Sequence, residues 1–299
     1  MTLLAGRVAI VTGAGRGLGR AHALALAEAG AAVVVNDIGA GLSGDRGADS
    51  PADDVVAEIV AAGGRAVADR HSVSDWKDAG AIVETAVSEF GRLDIVVNNA
   101  GITRDRVITS STEEDFDLTI AVHLKGTYAM CHHAAGYWRA ESKAGRPVSG
   151  RIINTTSGTG MFGNVGQSAY GAAKAGIIGI SLSIARELRR YGVTVNVISP
   201  IARTRMTAGL VADAPADGFD ELDPANASPL IAFLGSAEAG WLTGQVLRVE
   251  GGTLVRMRGW EPAGSYRSRS GARLTADELA DGAAMLYGAL PTGVATLNG

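Results

Sequence analysis

Seven short runs rich in Val and Ile, at residues 7–12, 32–36, 65–68, 94–98, 151–155, 194–198 and 245–249, alternate with longer Ala-rich stretches of helical periodicity. Parallel strands need a crossover of a dozen or more residues between them, usually a helix, and the spacing here supplies one each time. The pattern predicts an α/β fold: a doubly wound, Rossmann-type parallel sheet of seven strands with helices on both faces. The expected helices cover residues 18–29, 52–62, 76–90, 113–140, 168–190 and 227–235, with Gly63-Gly64, Gly91 and Gly192 where helix C-caps are needed.

Composition narrows the class further. Of 299 residues, 46% are hydrophobic and 5% aromatic, with 41 Gly. That suffices for one large domain whose core is Ala, Val, Ile and Leu. A net charge of -4 gives no electrostatic reason to bind nucleic acid or an anionic membrane. Cys131 is the only cysteine, so no intrachain disulfide forms and a reducing compartment is expected. Apolar stretches such as 175–185 read as too short, and too rich in Gly and Ser, to span a bilayer. The chain enters its first strand without a basic leader, and a cytoplasmic location is the expectation. A single catalytic domain is expected over residues 1–258, followed by an extension at 259–299 in which Thr275 and Glu278 read as a helix capping box. The loops at 39–50 and 202–226 break the alternation. The second follows a strand's carboxyl end, where open α/β sheets bind ligands, and is expected to cover the substrate.

The first strand runs into Thr12-Gly13-Ala14-Gly15-Arg16-Gly17-Leu18-Gly19. Glycines there let the backbone turn sharply and approach a pyrophosphate, which meets the free N–H groups and partial positive charge of the next helix. The spacing is G-x-x-x-G-x-G, through Gly13, Gly17 and Gly19. Asp37 ends the second strand, eighteen residues beyond Gly19. Its carboxylate is placed to accept from both adenosine ribose hydroxyls and to repel a 2′-phosphate, so NAD is expected over NADP, although Arg16 argues the other way.

Tyr170 and Lys174 stand four apart on an expected helix, with Ser157 thirteen residues upstream. Side chains at that spacing share a helix face. A free tyrosine titrates near ~10, and a nearby cation favours the phenolate. A bare Tyr-x-x-x-Lys is also what any amphipathic helix can show.

With Asn98-Asn99-Ala100-Gly101, Ser157, Tyr170, Lys174 and Pro200 following the glycine turn in order, the chain resembles the classical short-chain dehydrogenase/reductases over residues 5–255. Residues 34–39, Val122-His123-Leu124-Lys125-Gly126-Thr127, residues 163–170 and Arg203-Thr204-Arg205-Met206-Thr207 are similar to the (3R)-hydroxyacyl-CoA dehydrogenase part of the peroxisomal multifunctional enzyme type 2, a group that includes 17β-hydroxysteroid dehydrogenases. The resemblance implies that Tyr170 is the general acid/base, that Lys174 binds the nicotinamide ribose and lowers the Tyr170 pKa, and that Ser157 holds the substrate oxygen. It implies cofactor contacts from Gly13, Arg16, Gly17, Leu18, Gly19, Asp37, Asn99, Ala100, Gly101, Tyr170, Lys174, Pro200 and Ile201. Ser72 and Val73 stand where the family cradles adenine, with Ser72 replacing the more usual Asp. His123 replaces the Asn of many relatives. A proton-relay role and a buried His satisfied by a backbone partner are both open for it. Cys131, His132 and His133 point different ways on one helix and lack a carboxylate, so no metal is expected.

The expected substrate is a small molecule, an acyl-CoA, lipid or steroid alcohol or ketone. Arg203, Arg205, Arg256, Arg258, Arg267 and Arg269 are candidate phosphate contacts. The alternatives are a reductase of acyl-carrier-protein thioesters and a nucleotide-sensing module without chemistry. A homodimer or homotetramer assembled through the helices around 113–140 and 168–190 is implied.

Overall fold

The structure, a computed structural model, describes residues 2–43, 50–205, 207, 213–215, 217–259, 261–271 and 273–288. Its first unit, Met1–Met257, is built on one sheet. The strands are β1 (Val8–Thr12), β2 (Ala32–Asn36), β3 (Arg65–Asp69), β4 (Ile95–Asn98), β5 (Arg151–Thr155), β6 (Thr194–Ile201), β7 (Val246–Glu250) and β8 (Thr253–Met257). They lie side by side in the order β3-β2-β1-β4-β5-β6-β7-β8. Pairing is parallel except between β7 and β8. The eighth strand corrects the expected seven. It returns through Gly251, whose φ of +50 allows the tight turn, and it is largely exposed, so it lacks the buried apolar run of the central strands.

The helices are α1 (Gly17–Glu28), α2 (Pro51–Ala61), α3 (Trp76–Phe90), α4 (Glu113–Thr119), α5 (Gly126–Lys143), α6 (Gly158–Phe162), α7 (Ser168–Leu188) and α8 (Ser228–Gly235), with α9 (Ala276–Tyr287) in the second unit. Side chains alternate across a strand, so each buried strand feeds two cores. Val8, Ile10, Val34, Val96 and Ile152 face one way, onto Ile82, Met130 and Trp138 of α3 and α5. Ala9, Val11, Val33, Val35, Val97 and Ile153 face the other, onto Leu26, Ile59 and Leu234 of α1, α2 and α8. Strand order reverses between β1 and β4, which opens a crevice at their carboxyl ends.

The single helix expected over 113–140 is three consecutive pieces: α4, a π-helical turn at Ile120–Lys125, and α5. The π turn carries His123. Such turns disturb the 3.6-residue repeat at one place, and hydrophobic periodicity cannot reveal them. The short α6 was not expected either, because Gly158-Thr159-Gly160 reads as a turn. By length and composition alone, Ser168–Tyr191 is apolar enough to cross a membrane, the one such helix among the described residues, with mean hydropathy 1.2. Core helices meet the same measure. Here it buries Ala173, Lys174, Ile177, Ser181, Ala185 and Leu188.

The second unit, Arg258–Gly299, is small. The expected capping box is present: Glu278 N donates to Thr275 Oγ1 at 3.2 Å and Thr275 N to Glu278 Oε2 at 3.1 Å. The substrate-covering loop expected at 202–226 lies outside the described residues at 206, 208–212 and 216, and the loop at 39–50 does so at 44–49.

Candidate active site

The glycine turn packs as tightly as its sequence requires. Gly13 has φ +63, and a Cβ on Gly19 would stand 2.1 Å from the Gly13 carbonyl oxygen. Asn99 reaches across from the end of β4 and donates through Nδ2 to Thr12 O at 3.0 Å and Gly13 O at 3.2 Å. Thr12 Oγ1 in turn accepts from the amides of Asn99 and Ala100, both at 3.1 Å. The N-terminus of α1 carries no acidic residue in its first turn, and its N-cap, Arg16, makes no side-chain cap hydrogen bond. Its leading N–H groups are therefore left for an anion. These features fit a dinucleotide: a cradle that a Cβ would fill and an uncapped helix start at its floor.

Asp37 is fixed at both oxygens, accepting from Gly15 N at 2.9 Å and Gly39 N at 2.8 Å. The absence of a side chain at Gly15 permits this, since its Cβ would stand 2.8 Å from Asp37 Oδ2. A cavity of about 350 Å³ runs past these groups and is lined by Gly13, Arg16, Gly17, Leu18, Gly19 and Asp37, together with Ser72, Val73, Asn99, Ala100 and Gly101. Ser72 has commitments of its own: its amide donates to Asp78 Oδ2 at 3.0 Å and its hydroxyl meets Ser74 Oγ at 2.8 Å. Pro200 and Ile201 end β6 and do not line the cavity, whereas Thr204 and Arg205 beyond them do. Ile38, Leu42 and His71 also line it and were not singled out in the sequence. His71 stands two residues beyond the end of β3 at Asp69, and its place at a parallel strand's carboxyl end is the signal that marks it. The hydrogen bond from its Nδ1 to Asp69 Oδ2 at 3.0 Å raises the His71 pKa.

The second half of the site gathers at the end of β5. Ser157 caps α6, its Oγ accepting from Thr159 N at 3.3 Å, and its hydroxyl lies close enough to Tyr170 to lower the phenol's pKa. Lys174 is buried one turn further along α7. Its Nζ donates to Thr155 O at 2.9 Å and lies 5.5 Å from the centroid of the Tyr170 ring. Thr156 Oγ1 donates to Lys174 O at 2.8 Å, and a Cβ on Gly160 would stand 2.7 Å from the Lys174 carbonyl carbon. Strand, turn and helix are thus locked around the lysine.

Burial pushes the Tyr170 phenol above its ordinary value; the Ser157 hydrogen bond opposes this, and the Asp105 carboxylate adds to it. Burial also lowers the Lys174 ammonium to about 7. The Lys174 ammonium is turned to the Thr155 carbonyl, which holds it one turn from the phenol.

His123 is buried edge-on to Tyr170, with ring centroids 5.2 Å apart. Its Nε2 pairs with Ile102 O at 2.9 Å, its Nδ1 is buried without a hydrogen-bond partner among the described residues, and burial lowers its pKa to about 3. It is a neutral imidazole. Cys131, buried against Asn98 and Asn154, is pushed up to about 12. His133 is spent on Trp76 O at 2.8 Å. Of the candidate phosphate arginines, Arg203 pairs with Asp220 at 2.6 Å, Arg258 with Glu261 at 3.2 Å and Arg269 with Asp281 at 2.6 Å.

A parallel sheet with an anion cradle at its switch point, and beside it a half-buried Ser and Tyr able to hold an oxygen and exchange its proton, defines a nicotinamide-dinucleotide-dependent oxidoreductase acting on CH–OH groups. The chain belongs to the short-chain dehydrogenases, whose family model matches residues 7–215. It is 48% identical over 255 residues to the hydroxyacyl-CoA dehydrogenase ChsB1 of Mycobacterium tuberculosis, covering 84% of this chain and 79% of that protein. It is also 48% identical over 229 residues to the peroxisomal multifunctional enzyme type 2 of Drosophila melanogaster, covering 77% of this chain. It spans 36% of that longer relative. A crystal structure of a short chain dehydrogenase from Mycobacterium avium superposes with a TM-score of 0.86 at 54% identity over 96% of each chain.

Proposed function

We propose that the protein is an NAD-dependent dehydrogenase that interconverts a secondary alcohol and its ketone, with a (3R)-hydroxyacyl-CoA or a related bulky lipid or steroid as substrate. The observation that carries the reading is the gathering of Ser157, Tyr170 and the buried Lys174 at the end of β5, with Lys174 Nζ on Thr155 O at 2.9 Å and 5.5 Å from the Tyr170 ring. The substrate class draws support from similarity to a protein named for hydroxyacyl-CoA dehydrogenation.

The glycine turn, Asp37, Asn99 and Lys174 would hold the dinucleotide, which when bound supplies the hydride acceptor. Ser157 Oγ, one lone pair filled by Thr159 N, is left to donate to the substrate oxygen. Tyr170 Oη takes the substrate hydroxyl proton during oxidation and returns it during reduction. The two donors stabilise the negative charge that develops on that oxygen. Because the phenol's pKa is raised, oxidation should quicken toward alkaline pH and reduction should persist at lower pH. Asp37 supports NAD, because a fixed carboxylate at the ribose repels a 2′-phosphate. The same reading carries a homodimer or homotetramer formed on the open groove between α5 and α7.

The test is a panel of (3R)-hydroxyacyl-CoA chain lengths and hydroxysteroids, assayed with NAD and with NADP by absorbance of the reduced nicotinamide. Tyr170→Phe should lower hydride transfer by about 10²–10⁴-fold, with NAD binding retained by fluorescence titration. An unchanged rate would sink the mechanism. A parent enzyme that prefers NADP and acyl-carrier-protein thioesters would replace the reading with a reductase.

A further inference from the structure

Two loops sixty-two residues apart in sequence meet at one side-chain amide. Gln167 is the N-cap of α7, the helix that carries Tyr170 and Lys174. Its Nε2 donates to Asp105 Oδ2 at 2.7 Å, in the loop beyond β4. Its Oε1 accepts from Thr159 Oγ1 at 2.8 Å and from Asn164 Nδ2 at 3.0 Å. One orientation of the amide satisfies all three contacts, since a carboxylate accepts only and the Asn164 amide nitrogen donates only. Thr159 is the residue whose amide fills a lone pair of Ser157 Oγ. A second tether, Arg106 N to Gly166 O at 2.8 Å, clamps the same two loops together.

We propose that Asp105 and Gln167 are positioning residues for proton transfer at Tyr170: Gln167 ties the turn that aims Ser157 to the start of the helix that carries Tyr170, and Asp105 fixes that amide and sets a carboxylate at the start of the same helix. The inference rests on the reading of Tyr170 as the acid/base. Asp105 is suited to both tasks. It has no ion pair among the described residues, because Arg104 turns to Asp115 at 3.3 Å and Glu114 at 3.6 Å. Arg106 folds onto the Asp105 backbone carbonyl at 3.0 Å. The other titratable groups facing Tyr170 are Lys174 on its own helix and His123 on the π turn, while α6 contributes none. His123 is a neutral imidazole and Lys174 is turned to Thr155 O, so neither is paired with the Asp105 carboxylate. It acts in the direction that keeps the proton on the phenol.

The experiment is the pH dependence of kcat/KM for alcohol oxidation in the parent enzyme and in Asp105→Asn, Gln167→Ala, Thr159→Val and Tyr170→Phe. Asp105→Asn keeps an oxygen for the Gln167 amide and removes the charge, so its alkaline-rising limb moves to lower pH. Gln167→Ala leaves the limb in place and lowers kcat by about ten- to a hundredfold, with the KM for NAD unchanged. Thr159→Val breaks the same link from the other side and gives the same loss, which covers the case in which Gln167→Ala does not fold. An Asp105→Asn profile superimposable on the parent, or Gln167→Ala and Thr159→Val enzymes with parental kcat, overturns the inference. An active Tyr170→Phe enzyme overturns instead the reading beneath it.

Discussion

Asp37 shows how much one residue decides when the backbone around it is fixed. Two amide donors hold its carboxylate in place at the rim of the cavity, so its charge cannot swing away from an incoming phosphate. Replacing Asp37 by Ala removes that repulsion. The ratio of kcat/KM with NADP to that with NAD should rise about tenfold or more, equivalent to roughly 1.4 kcal/mol, and steady-state kinetics with both cofactors reads it directly. An unchanged ratio would mean that other groups at the rim set the preference. Lys174 and Tyr170 show the converse. Their four-residue spacing is legible as a shared helix face, yet their proton affinities depend on burial that spacing does not report.

The helices hold the site through a few side chains anchored far from it. Trp138, near the end of α5, is 2% exposed and donates Nε1 to Leu93 O at 2.7 Å, fixing the helix against the entry to β4. Gly150 permits this, because a Cβ there would stand 2.8 Å from the indole. Trp138→Phe leaves the Leu93 carbonyl buried without its donor, and should cost about 1–3 kcal/mol. The measurement is a lowered midpoint in denaturant unfolding at unchanged slope. The same rod shows where element prediction stops: amphipathic periodicity gives its length, and the π turn that lodges His123 against Ile102 is a register change that only packing with the facing loop selects.

For the whole molecule, two buried imidazoles govern acid stability. Burial lowers both His22 and His123 from 6.5 to about 3, and His22 Nδ1 pairs with Ser228 Oγ at 2.9 Å. Between those values the unfolded chain binds two protons that the folded protein refuses. Stability is therefore fully present above about pH 6.5 and is lost as pH falls toward 3, at up to about 2.7 kcal/mol per pH unit from this pair. Lys174 acts in the alkaline window: its folded value of about 7 lies below the unfolded 10.5, so stability rises as pH climbs between them. Urea midpoints at pH 7, 6 and 5 test the acid side, and His22→Gln should remove about half of this pair's slope.

The sequence by itself determined the alternation of strands and helices, the glycine turn, Asp37 and the ordered Ser157, Tyr170 and Lys174, because each is a local matter of periodicity, steric need or side-chain chemistry at fixed spacing. Tertiary structure decided what depends on residues meeting across the chain. Gly251 turns β8 back beside β7, His71 and Thr204 come to the cavity from separate strand ends, and Asp105 reaches Gln167 across sixty-two positions. It also decided the charge state of the site, since desolvation is set by how many neighbours a group has in space and not by which residues flank it in sequence.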